Sequence, residues 1–230
     1  MGRAGRIAAW TACALVLVLV LAQVLLPGIA ASRISSRVGR YGDVRSVSVS
    51  AWPAVKLLWG SADSVSVRTA SLRISPARTA ELLSEATRVS SLTLTAASVR
   101  EGPLQLTDAS LRKHGGQLAA QGTITQAAVQ AALPPGIKLR LLSSEGGRVT
   151  VRASGRTPVL GLLGRGASMD VLAGASAGAL IARPVGPPFG PVHLTLFASP
   201  HVYVEAIAVR QVPGSAQAPS YLLAMRARLR

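Results

Sequence analysis

From Ser46 onward, apolar and polar residues alternate with period two in run after run. A chain patterned this way buries one face of a sheet and leaves the other in water. Val47, Val49 and Ala51 alternate with Ser46, Ser48 and Ser50; Leu92, Leu94 and Ala96 with Ser91, Thr93 and Thr95; Leu118, Ala120 and Ile124 with Gln117, Gln121 and Thr123. Ile137, Leu139 and Leu141 stand opposite Lys138 and Arg140, then Val149, Val151 and Ala153 opposite Arg148, Thr150 and Arg152. Ser144-Glu145-Gly146-Gly147 joins that pair as a hairpin turn. Val192, Leu194 and Leu196, then Val202 and Val204, then Tyr221, Leu223, Met225 and Leu229 carry the pattern to the C-terminus. Two helices punctuate it. One opens at Ser75-Pro76 with Ala80, Leu83, Ala86 and Thr87 on its inner face; a shorter one is capped by Thr125 and stopped by Pro134-Pro135-Gly136. The Arg183–Pro191 and Pro213–Pro219 stretches read as loops. Most strands join the next without a helix between, so the expected fold is α+β, one domain with a long curved antiparallel sheet and two short helices.

Hydrophobic residues make up 49% of the chain and aromatics 3%, so any core is built from Ala, Val and Leu. The only cysteine is Cys13, which leaves the β-rich part without a disulfide or thiol chemistry. A net charge of +16 asks for an anionic partner, nucleic acid or lipid. Arg is spread along the whole chain, with no basic run interleaved with aromatics, so nucleic acid is not expected and an anionic membrane surface is.

Ile7 to Leu26 carries no charge, and about 20 residues at ~1.5 Å each span a hydrocarbon core of ~30 Å. Arg3 and Arg6 precede it, and Trp10 stands at interfacial depth. A signal peptide cleaved near Gly28-Ile29-Ala30 is the alternative to an uncleaved anchor. Arg33, Arg37, Arg40 and Arg45 after the segment outnumber the two arginines before it, yet folded domains translocate largely regardless of charge. The expected organisation is a cytoplasmic tip and transmembrane or signal-anchor helix over 1–28, a basic amphipathic juxtamembrane helix over 29–42, and a β-rich domain over 43–230 outside the cytoplasm. Pro27-Gly28 reads as a break between the two helices. In the second, Arg33, Arg37 and Arg40 share one face, suited to lipid headgroups, beside Ile34, Val38 and Tyr41. Equally, that helix packs its apolar side on the domain and leaves the arginines solvated.

No set of residues reads as an active site. Gly174-Ala175-Ser176-Ala177-Gly178 has the G-x-S-x-G spacing of a nucleophile elbow, but no acid followed by a His comes after it. His114, His193 and His201 have no cysteine or paired carboxylates at metal-ligand spacing, and nine acidic residues leave little for acid–base work. No cofactor, metal or catalytic residue is expected. The stretch Ala51-Trp52-Pro53-Ala54-Val55-Lys56-Leu57-Leu58-Trp59-Gly60 is different: Pro53 reads as a first helical residue and Gly60 as a stop, with Trp at both ends. It is either a buried connector whose tryptophans fill core, or an apolar lip or membrane-dipping element with Trp at headgroup depth.

The alternating strand from Ser46, the Trp52-Pro53 pair, the leucine-rich Leu57-Leu58-Trp59-Gly60 turn and the second strand from Asp63-Ser64-Val65 resemble the actinobacterial LmeA-like phospholipid-binding family. An N-terminal hydrophobic helix and a basic linker precede them, as in that family, and the likeness extends over most of Arg33 to Arg230. The resemblance implies a non-catalytic, lipid-binding, TULIP-like domain at the cell envelope that binds phospholipid, with lipid-linked glycan maturation as its setting. On that reading Trp52, Val55, Leu57, Leu58 and Trp59 line a lipid pocket, and Arg33, Arg37 and Arg40 contact anionic headgroups. The rival is a structural or partner-docking envelope protein that holds no lipid in a pocket.

Overall fold

The computed structural model describes residues 23, 25–36, 39, 42–73, 89–101, 104–155, 168–186, 193–212 and 219–229. Helix α1 covers 25–36. The strands are β1 (Val44–Ser50), β2 (Ala62–Arg73), β3 (Val89–Glu101), β4 (Leu104–His114), β5 (Gln117–Thr125), β6 (Ile137–Glu145), β7 (Arg148–Gly155), β8 (Ser168–Ser176), β9 (Ala179–Val185), β10 (Leu194–Phe197), β11 (Val202–Val212) and β12 (Ser220–Leu229), with helix α2 (Gln126–Ala132) between β5 and β6.

The alternation becomes two sheets, not one. A seven-stranded sheet has the order β1-β2-β3-β4-β5-β12-β11, and a five-stranded sheet the order β10-β9-β8-β7-β6. The second sheet is inserted between β5 and β12, which pair directly. Period two says which residues share a face and nothing about which strands share a sheet, so the division is invisible in the pattern. One pair, β2–β3, is parallel, whereas the sequence pattern implies antiparallel pairing throughout. A parallel pair needs a crossover connection; here it is 74–88, so the helix expected from Ser75-Pro76 lies outside the described residues.

Helix α2 forms as its sequence dictates. Thr125 is the N-cap, its hydroxyl accepting the Ala128 N–H at 3.2 Å, and the helix ends at Leu133 before Pro134-Pro135. Gln126 and Gln130 then donate from their side-chain amides to the β6 carbonyls of Leu139 and Ile137, which turns the chain into the second sheet. Across the junction, the outward N–H groups of β11 are met by that sheet's hairpins. Val204 donates to the Gly178 carbonyl at 2.9 Å, Ile207 to the Gly147 carbonyl at 3.3 Å and Val209 to Ser144 Oγ at 2.8 Å. An edge strand with open N–H groups invites pairing; this one is closed by turns.

The buried centre at the junction is Leu118, Val202, Val204 and Ala227, joined by Ala175 and Phe197 from the second sheet. At the other edge of the seven-stranded sheet, Val49, Ala62, Val65 and Val67 form a second cluster under Ala30, Ala31 and Ile34 of α1. The α1 spacing of i, i+1, i+4 places one face on the sheet. α1 passes through Pro27 and Gly28 without a break, contrary to the stop expected there; the packing of its next turn onto the sheet supplies what local propensity lacks. Of the run Ile7–Leu26, only Gln23, Leu25 and Leu26 are described. Among the described residues no helix is long and apolar enough to cross a membrane.

Candidate lipid-binding surfaces

Between β1 and β2 the chain makes a single 3-10 helix, Ala54–Trp59, entered through a cis Trp52-Pro53 bond. Pro53 is its N-cap, one position earlier than the sequence reading put it, and Gly60 ends it at φ 72, a left-handed conformation that glycine adopts without a Cβ clash. Two polar clamps hold the turn. Asp63 Oδ2 accepts the Trp52 N–H and Oδ1 accepts Lys56 Nζ at 3.3 Å. The Trp52 amide, and after it the Lys56 ammonium, hold the Asp63 carboxyl below the usual carboxylate range. From the other side, Gln23 Oε1 accepts the Ala54 N–H at 2.9 Å, tying a residue just before α1 to the turn.

This arrangement sorts the turn's side chains. Ala51 and Ala54 are buried, and Leu57 packs on the Val49–Val67 cluster. Trp52, Leu58 and Trp59 point away, 72%, 67% and 74% exposed. Of the two readings of this stretch, that geometry is the lip, with Leu57 as its root in the core. The Val55 side chain lies outside what the structure describes. Leu25 and Ile29, exposed on α1 one turn apart, flank the same site through the Gln23–Ala54 bond. Arg33 is exposed on α1; Arg37 and Arg40 lie outside the described residues.

A second apolar surface was not legible as a unit. In the five-stranded sheet the cross-strand rows Leu139–Ala153–Met169, Leu141–Val151–Val171–Pro184 and Val149–Ala173–Ala182–Leu194 share one face. Only Val149 and Ala153 in these rows are buried; the others are half-buried, and Leu194 is exposed. The opposite face carries Arg140, Arg152 and Asp170, the last two joined by paired hydrogen bonds of 2.7 and 3.0 Å. Five of the eleven residues in these rows come from β8 and β9, whose Ala/Gly-rich middle mutes the alternation.

Sequence reasoning also passed over Lys113. It stands among apolar residues of the seven-stranded sheet, 4% exposed, and its ammonium donates to the Val89 carbonyl. Burial pushes that ammonium below the usual lysine range. Its signal was an inward position in an alternating strand, opposite Leu92 and Leu118.

The stretch with nucleophile-elbow spacing is a β-hairpin tip. Ser176 ends β8, and Ala177 and Gly178 make the turn at positive φ. Beside it, Ala177–Ala179, Ala198–Pro200 and Val202 line a hollow of about 220 Å³, below the ~300–1,000 Å³ of typical ligand sites. Among the described residues no three His, Cys, Asp or Glu side chains group as metal ligands.

A family model described as LmeA-like phospholipid-binding matches residues 20–211, a span that takes in the lip, α2, the five-stranded sheet and the strands of the seven-stranded sheet up to β11, leaving out β12. No curated protein and no solved structure matches the chain.

Proposed function

The chain belongs to the LmeA-like phospholipid-binding family, and from that membership we propose a membrane-anchored, extracytoplasmic protein that holds or transfers phospholipid, anionic lipid by preference, in support of lipid-linked glycan maturation. In this reading 1–28 is the anchor, 29–42 a basic helix against the headgroups and 43–230 the lipid-binding domain. Since α1 runs across the 28/29 boundary, anchor and basic helix join without a hinge at that point.

The observation that carries the lipid-binding part is the half-open apolar face of the five-stranded sheet. Its rows are Ala, Val, Leu, Met and Pro. An acyl chain laid on such a face gains about 0.8 kcal/mol per buried CH₂. Burial of this kind does not read the headgroup, so anionic preference falls to the arginines, which the polar faces carry.

The test is lipid load. Full-length protein extracted from membranes is analysed by native mass spectrometry beside an Ala182→Trp variant, whose indole would occupy the middle of the Val149–Leu194 row. The variant is expected to stay folded and lose most of its bound phospholipid. A folded Ala182→Trp protein with an unchanged load removes this face as the site. A wild-type chain that never carries phospholipid leaves the partner-docking reading in its place.

A further inference from the structure

We infer that the strand ends around the Trp52–Trp59 turn are a membrane-docking edge, with Trp52, Leu58 and Trp59 entering the headgroup–acyl boundary of an anionic phospholipid bilayer beside Leu25 and Ile29. The inference takes from the proposed function only the identity of the surface, phospholipid; it stands on the turn and not on the sheet face that holds lipid.

Three observations converge. First, the exposure is built in: Asp63, Lys56 and Gln23 clamp the backbone of the turn while its three largest apolar side chains face outward. Tryptophan at a polar–apolar boundary buries its ring and keeps its N–H hydrated. Second, the uncharged run Ile7–Leu26 ends here, because Gln23, within that run, bonds to Ala54. A bilayer that holds the run therefore meets the turn at its surface. Third, charge matches. On the polar face of the seven-stranded sheet, Ser66, Thr93, Arg112, Ala119 and Arg226 form one cross-strand row. Arg112 is exposed and lies near the strand ends that carry the turn; the row contains no carboxylate.

The second sheet is placed elsewhere. It docks on β11, the far edge from β1, six inter-strand spacings of about 4.8 Å away, roughly 29 Å along the sheet. Docking at the β1 edge thus puts the bilayer on the side of the larger sheet away from the second one.

Depth-dependent fluorescence quenching tests this with the full-length chain in vesicles of phosphatidylcholine and phosphatidylglycerol containing brominated acyl chains. In a Trp10→Phe background, Trp52 and Trp59 are the reporters. A reference chain, Trp10→Phe/Trp52→Phe/Trp59→Phe with Leu194→Trp, reports on the second sheet. Both lip tryptophans should be quenched, more so with phosphatidylglycerol present, and Trp at 194 should not. Leu58→Asp should abolish the quenching with the circular dichroism spectrum unchanged, and Arg112→Gln should lower the phosphatidylglycerol dependence. Unquenched Trp52 and Trp59, or equal quenching at 194, overturns the inference. Lipid load measured on the same samples separates the two readings: a chain that carries no lipid but shows this quenching keeps the docking edge and loses the carrier function.

Discussion

In the seven-stranded sheet the apolar face ends in contact. Val202 and Val204 are 1% exposed against Leu118 and Ala227, and Val49, Val65 and Val67 lie under α1 and Leu57. In the five-stranded sheet, Leu139, Leu141, Val151 and Val171 stand in the same alternation and remain half-buried. Alternation decides which face is apolar; what covers the face is decided by segments with no period of two. Here the covers are α1, the 3-10 turn and the hairpin tips, and among the described residues all of them serve the larger sheet. One sheet is thereby the scaffold, and the other keeps its apolar face half-open beyond the end where Ala175 and Phe197 meet β11.

The strongest way to break that contrast is to place one charge on each face. Val204→Asp puts a carboxylate among fully buried side chains and should cost more than about 4 kcal/mol, or abolish folding. Leu139→Asp reaches water from a half-buried position and should cost about 1 kcal/mol. Urea unfolding followed by circular dichroism measures both. Equal costs would mean that the second sheet is a closed core.

A smaller effect is expected where the two sheets meet. Gly178 sits at φ 82, and a Cβ there would run into the Tyr203 ring. Its carbonyl accepts the Val204 N–H. Gly178→Ala should cost about 1–3 kcal/mol through backbone strain and the displaced ring, and should speed hydrogen exchange at the Val204 amide. Unchanged exchange there would show that the hairpin tip does not hold β11.

The legible parts of the fold were those with local causes. Ser144-Glu145-Gly146-Gly147 joins β6 to β7, and Thr125 caps α2, as the sequence implies. Gly60 stops the 3-10 turn, although the sequence did not say whether its tryptophans faced in or out. That depended on Asp63, eleven residues after Trp52, and on Gln23, thirty-one before Ala54. The β8–β9 hairpin was missed because Ala, Gly and Ser give almost no contrast between its two faces. Its tip reads as a G-x-S-x-G motif only because glycine and small residues also build tight turns. Arg183-Pro184-Val185, expected as loop, completes β9, since pairing with Asp170–Leu172 overrides the local preference of a proline. The parallel β2–β3 pair was hidden for a different reason: strand direction depends on the crossover, and alternation is the same in both directions.

The finest contrast is between two carboxylates. Asp63 in the larger sheet and Asp170 in the smaller are both held below the usual range, Asp63 by the Trp52 amide and Lys56, Asp170 by Arg152. Only Asp63 fastens a cover, because its partner is the backbone of the lip. For both, the folded carboxyl binds its proton more weakly than the unfolded one, so the stabilisation is fully present above the unfolded value of about 3.9 and is lost as pH falls through the lowered folded value. Asp63→Asn removes the charge facing Lys56 while an amide oxygen can still accept the Trp52 N–H, so the domain should remain folded at neutral pH with a small loss of stability. The difference between Asp63→Asn and wild type should then shrink as pH falls below about 3.9, accompanied by a change in Trp52 emission in a Trp10→Phe/Trp59→Phe background. Asp170→Asn should show the same convergence in stability with no change in that emission, since Arg152 and Asp170 pair on the polar face of the other sheet. If acid alters Trp52 emission equally in wild type and Asp63→Asn, the carboxylate does not clamp the turn. The outward set of Trp52 would then rest on Gln23 and the packing of Leu57 alone.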